Sequence, residues 1–176
     1  GKNRYSFFDP SEERRAVTAH SLHSAIDVAV KKQQFVLYYQ PKVNMLTGEV
    51  VGAEALIRWQ HPEKGLLGPF EFLPVIENSS LIVDIGNWVL RQALSQMRAW
   101  SAEGVEIKVS VNIAALQLQQ HDFVSRLKAL LAEFSDVPAA NLELEILETA
   151  ALHDVDHVSQ IMRQCEELGV QFALDD

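Results

Sequence analysis

Apolar and polar positions along this chain recur in two different rhythms, and each change of rhythm marks an element boundary. Residues 35–43 (FVLYYQPKV) and 49–59 (EVVGAEALIRW) are runs rich in β-branched and aromatic residues, separated by the five residues NMLTG. So short a link lets the two strands pair only antiparallel, because a parallel pair needs a longer crossover. After a loop over 60–69 and a short helix over 70–78, the spacing widens to three and four. Ile85, Trp88, Val89, Ala93, Met97 and Trp100 predict an amphipathic helix over 84–102. Strand 106–112, helix 119–134, strand 142–147, helix 154–168 and strand 171–176 follow. The last helix carries Val155, Val158, Met162, Cys165 and Leu168 on one stripe. Gly104 and Gly169 each stand between a helix and a valine that opens the way to a strand, the place of a left-handed cap. Upstream, residues 11–33 read as a helix begun by Ser11, Glu12 and Glu13, and residues 1–10 as an extended tail.

Helices alternating with strands imply parallel strands joined by helical crossovers. Within these strands the parity is informative. Ile107, Val109 and Val111 oppose Lys108, Ser110 and Asn112; Leu142, Leu144 and Ile146 oppose Glu143 and Glu145; Phe172 and Leu174 oppose Gln171 and Asp175. Each strand therefore has one apolar face for the helices and one largely polar face. A flat doubly wound sheet would want both faces apolar, so an α/β barrel with a polar lumen is the better expectation. In such barrels reactive groups sit at the C-terminal strand ends. Lys108 and Glu143, deeper in the lumen, are expected to pair.

The strand-end residues carry the candidate chemistry. Glu54 lies in the second strand, and Asn112, Glu145, Asp175 and Asp176 end three later ones. Any one acid there could be an ordinary helix N-cap. Together, four carboxylates and an amide oxygen at one mouth would repel unless cations neutralise them. An all-oxygen set favours Mg²⁺, Mn²⁺ or Ca²⁺ over zinc, and two such ions suit in-line attack of water on a phosphodiester. By contrast, HDVDH at 153–157 reads as a helix start with Asp154 as cap. Cys165, Trp88 and Trp100 read as core, and Lys42 as a solvent-facing side chain near the mouth.

Composition narrows the partners. The chain has 176 residues and a net charge of -9, which gives no footprint for polymeric nucleic acid. A single cysteine cannot form an internal disulfide and fits a reducing compartment, the cytoplasm. With no apolar run long enough to span a bilayer, this segment is expected to make no membrane contact, although its parent may be anchored.

The sequence from about residue 33 to its last residue resembles the EAL-domain family of cyclic di-GMP phosphodiesterases of bacterial signalling. The resemblance rests on YYQPKVNMLTGEVVGAEALIRWQHP, GPFEFLPVIE, SVNIAALQL, LELEILETA and GVQFALDD, in that order. It implies a modified TIM barrel with one antiparallel strand, of which about five strands are present. It further implies metal ligation by Glu54, Asn112, Glu145, Asp175 and Asp176, with Mg²⁺ or Mn²⁺ in a two-metal site. Gln40 and Arg58 match positions that contact cyclic di-GMP, and Glu148 matches a glutamate that holds the loop after the paired aspartates. The implied reaction is hydrolysis to pGpG, with Glu54 and Glu148 serving catalysis. Ala114 and Leu147 stand where the family often has serine and threonine, and neither departure removes a ligand.

Family members continue past the paired aspartates with further site residues, so the 176-residue chain by itself is expected to be weak or inactive. It is also expected to self-associate or exchange strands. The alternative is a receptor that binds cyclic di-GMP without cleaving it. The tail GKNRYSFFD resembles the end of a GGDEF domain, which would make 1–10 the end of that domain, 11–33 a linker helix and 34–176 the EAL portion.

Overall fold

The computed structural model describes residues 10–147 and 155–175. Helix α1 (Pro10–Lys31) leads into the hairpin of β1 (Phe35–Val43) and β2 (Val50–His61). A three-residue strand β3 (Gly65–Leu67), a 3-10 turn, and the short α2 (Leu73–Ile76) precede the long α3 (Ser80–Ala102). Then come β4 (Lys108–Asn112), α4 (Ala115–Leu118), α5 (Phe123–Glu133), β5 (Leu142–Leu147), α6 (Val155–Glu167) and β6 (Gln171–Asp175). The sheet order is β1-β2-β4-β5-β6, with β3 paired beside β2. β1 runs antiparallel to β2, and β2, β4, β5 and β6 are mutually parallel, as the link lengths require. This is an α/β, TIM-barrel-like arrangement that opens on the antiparallel β1 and carries the short antiparallel β3 beside β2.

The apolar faces of the strands meet the helices. Val109, Val111, Leu142, Leu144 and Ile146 are fully buried and join Leu90, Leu94, Leu127 and Ile161 in one core. Each such aliphatic side chain contributes roughly 1.5–3 kcal/mol relative to exposure. Below the hairpin, Trp59 is 1% exposed, and its ring lies 5.9 Å from Phe35 and 5.8 Å from Phe72. Its indole N–H donates to Gln34 Oε1 at 3.2 Å, so the buried polar atom is satisfied.

The sheet is curled. β1 lies three strands from β5 in the sheet order. At about 4.8 Å per strand a flat sheet would separate them by about 14 Å, beyond the reach of a lysine side chain. Yet the ammonium of Lys42 on β1 sits 2.5 Å from Glu145 Oε1 on β5. Only a sheet bent toward closure brings these strands face to face across a lumen.

Four elements differ from the sequence expectation. α3 starts at Ser80 rather than 84, because Ser79 caps it by accepting the Leu81 N–H at 3.3 Å. The helix expected over 119–134 begins only at Phe123, as α5, and a separate single turn, α4, precedes it, with the polar stretch Gln119–Asp122 between the buried Leu118 and Phe123. β3 was hidden in the expected loop 60–69: His61 Nδ1 accepts the N–H groups of Glu63 and Lys64, each at 3.1 Å, and tightens the turn that returns Leu67 opposite Trp59. The fourth strand begins at Lys108 rather than 106. The expected cap Asp154 lies outside the described residues.

Candidate active site

The polar faces of the strands line the lumen in register. Gln40 is opposite Glu54, Glu54 opposite Ser110, Ser110 opposite Glu143, and Glu143 opposite Gln171, a single row across five strands. One row nearer the C-terminal strand ends, Asn112 is opposite Glu145 and Glu145 opposite Ala173. Asp175 closes β6 opposite Leu147, a further row up. Parity alone therefore puts Gln40, Glu54, Ser110, Glu143, Gln171, Asn112 and Glu145 on the inner face.

Three of the expected ligands gather at this mouth. The Asn112 amide donates through Nδ2 to Glu54 Oε1 at 2.8 Å, which leaves the Asn112 carbonyl oxygen unengaged by that bond. Glu145 is 8% exposed and uses Oε1 to accept from Lys42. Among the described residues, no trio of His, Cys, Asp or Glu side chains is drawn together closely enough to hold a metal ion. Glu148 and Asp176 lie outside the described residues, and of Asp175 only the backbone position is described. The donor set that is described, two carboxylates and an amide oxygen aimed into one lumen, has the all-oxygen chemistry of a hard divalent cation and fits one.

Arg58 stands four residues beyond Glu54 on the same face of β2. Its guanidinium donates to the Ile57 carbonyl at 2.9 Å and lies 5.8 Å from the centre of the Tyr38 ring. Gln40 is exposed at the position directly across from Glu54. Arg58 is half-buried.

Two expectations are corrected. Lys42 does not face solvent alone: its ammonium donates to Ser110 Oγ at 2.6 Å, Glu145 Oε1 at 2.5 Å and Glu143 Oε1 at 3.5 Å. Burial works to lower its pKa, but the two glutamates outweigh burial and hold it above its ordinary value. The expected pair of Lys108 with Glu143 does not form. Lys108 donates instead to Gln171 Oε1 at 2.6 Å, while Glu143 Oε1 accepts from Lys42 and from Ser110 Oγ at 2.7 Å. The signal for Lys42 was present in the sequence: it shares parity with Gln40, and so must point inward.

Residues 23–176 match the family described as the EAL domain. The chain belongs to the EAL-domain family. It is 39% identical over its whole length to the bifunctional diguanylate cyclase/cyclic di-GMP phosphodiesterase MucR of Pseudomonas aeruginosa, and covers 26% of that protein. It is 33% identical, again over its whole length, to the cyclic di-GMP phosphodiesterase PdeR of Escherichia coli, of which it also covers 26%. The solved MucR phosphodiesterase in complex with cyclic di-GMP superposes with a TM-score of 0.84 at 39% identity, over 89% of this chain and 63% of that one. The chain thus spans about a quarter of the length of these curated relatives. Among the described residues of this EAL chain, no helix is long and apolar enough to cross a membrane.

Proposed function

We propose that this EAL chain forms the cation- and substrate-binding part of a phosphodiesterase that hydrolyses cyclic di-GMP to pGpG. The observation that carries the reading is the Glu54–Asn112–Glu145 arrangement on one lumen face, within a chain that shares its family with proteins named cyclic di-GMP phosphodiesterases. Glu54, Asn112 and Glu145, with Asp175 and Asp176, would hold two Mg²⁺ or Mn²⁺ ions. What bound divalent cations supply in such chemistry is charge neutralisation and activation of the attacking water. The product pGpG bears a 5′-phosphate, so water adds to phosphorus as one P–O3′ bond breaks, and a proton ends on the departing 3′ oxygen.

The chain's own residues bind and orient the cyclic dinucleotide. Arg58, poised above the carboxylates, offers a guanidinium to phosphate oxygens, and Gln40 offers an amide across from Glu54. Glu148 is assigned the loop-holding role its family position implies. Because the chain covers 63% of the solved MucR chain, we place turnover in the protein that carries this segment and expect the segment alone to be weak or inactive.

The test is chromatographic detection of pGpG from cyclic di-GMP with Mn²⁺, in the protein carrying this sequence. Glu54→Ala should lower turnover by about 10²–10³-fold, the range seen when a transition-state electrostatic group is removed. Arg58→Ala should raise KM more than it lowers kcat. Cyclic di-GMP binding without any pGpG in the wild type would replace this reading with that of a receptor.

A further inference from the structure

The lumen carries a cation of its own. Lys42 reaches from β1 to β5 and inserts its ammonium between Glu143 and Glu145, which sit two residues apart on the same face of β5. Ser110 Oγ completes the group, accepting from Lys42 at 2.6 Å and donating to Glu143 Oε1 at 2.7 Å. Glu145 is 8% exposed and Ser110 2% exposed, whereas the side chains of Glu143 and Lys42 are 23% and 40% exposed, so the Glu145 end of the cluster is the part screened least by water and salt. Without the ammonium, two like charges would face each other in this partly buried space.

We propose that Lys42 is a resident counter-cation that holds Glu143 and Glu145 in place when no divalent ion is bound, and that its charge beside Glu145 weakens the site's hold on such an ion. This rests on the divalent-cation reading given above.

Two effects oppose each other. By fixing the Glu145 carboxylate, Lys42 pre-orders a ligand, which favours an ion. By placing a positive charge within a few ångströms of where Glu145 would ligate, it repels that ion, and a dication feels the repulsion twice over. Pre-ordering is the smaller effect, because the β5 ladder already fixes the Glu145 backbone and burial already restricts its side chain, which leaves Lys42 to settle only the last torsions of the carboxylate. Lys42 also engages only Oε1, so the second oxygen remains to serve an ion. Repulsion therefore wins, and losing the ammonium should loosen the ion-free protein while tightening its grip on the ion.

The experiment measures Mn²⁺ affinity by calorimetry and melting temperature in EDTA, in the protein carrying this sequence. Lys42→Met should lower the ion-free melting temperature and tighten the Mn²⁺ Kd by about tenfold or more. Lys42→Arg, which keeps the charge, should retain wild-type affinity. Lys42→Gln, which keeps a donor for Glu145 and drops the charge, serves if the methionine variant does not fold, and should tighten binding too. A lowered melting temperature with unchanged or weaker Mn²⁺ binding in the neutral variants would mean that Lys42 is only a brace, and would overturn the proposal. Glu54→Ala separates the two readings. Wild-type Mn²⁺ binding that needs Glu54, with no tightening in the Lys42 variants, removes this inference alone. Wild-type protein with no Glu54-dependent Mn²⁺ binding removes both.

Discussion

At the scale of single residues, curvature decides which lumen side chains meet: Glu143 accepts from Lys42 across the lumen, while Lys108 on the neighbouring strand donates to Gln171 Oε1. Parity assigned Ser110 and Asn112, and Glu143 and Glu145, to the polar faces of their strands, and the register brings them together, with Gln40 and Glu54 joining from the hairpin. It could not say that Glu143 would be satisfied from across the lumen by Lys42 rather than by Lys108 beside it. That choice depends on curvature, which no single strand encodes. Another contact of this kind is Gly86 on α3. A Cβ there would lie 2.0 Å from Oε1 and 2.5 Å from Cδ of Gln117, a side chain only 1% exposed. Gln117 Nε2 donates to Asn87 Oδ1 at 3.4 Å, so moving the amide also disturbs a partly buried hydrogen bond. Gly86→Ala should destabilise the fold by about 1–3 kcal/mol through overpacking, against the usual gain of alanine in a helix. Urea denaturation reads this directly, and an unchanged or raised midpoint would show that the α3–α4 contact yields freely.

At the scale of elements, the punctuation was legible and the short pieces were not. Gly104 and Gly169 both adopt left-handed backbone, with φ of 80° and 89°. In each case the following valine closes the helix, Val105 N–H to Trp100 O at 2.9 Å and Val170 N–H to Cys165 O at 3.1 Å. This is the pairing that a helix, glycine, valine, strand pattern predicts. Gly169→Ala should cost about 1–2 kcal/mol, from the strain of a Cβ at positive φ. Ser79→Ala should cost about 1 kcal/mol by freeing the Leu81 N–H. If thermal melts place Gly169→Ala level with wild type, the cap assignment fails. β3 and α4 escaped notice because three or four residues cannot establish a period. Their positions are set by tertiary partners, Trp59 for β3 and the buried Leu118 for α4.

At the scale of the whole molecule, the order of the parallel strands followed from the link lengths, whereas the curl of the sheet became visible only through a side chain crossing the lumen. How tightly the helices close over the sheet was likewise not written in any one segment, and it can be read from groups that burial forces to stay neutral. The Tyr39 phenol, packed edge-on against Trp100 at 4.8 Å, is pushed by burial from 10.0 up to about 12. The Cys165 thiol, buried on α6, is pushed from 9.0 up to about 11, by burial first and then by the charge of Glu166. Both groups lose their protons more readily once unfolded. Between about pH 9 and 12 the unfolded chain therefore binds fewer protons than the folded one, and stability falls as pH rises. Lys42 acts in the same direction: its raised pKa means a stabilising charge that is fully present below 10.5 and lost as pH climbs through the folded value. A tenfold change in proton affinity is worth about 1.4 kcal/mol, so Cys165 contributes at most about 2–3 kcal/mol across its window. Urea unfolding at about pH 8 and again near pH 10.5 should show a clear loss of stability at the higher value. Cys165→Ala and Tyr39→Phe should each flatten the slope, whatever they do to stability at neutral pH. Slopes equal to wild type in both variants would mean that water reaches these groups in the folded chain, and that the helices cover the sheet less closely than their burial implies.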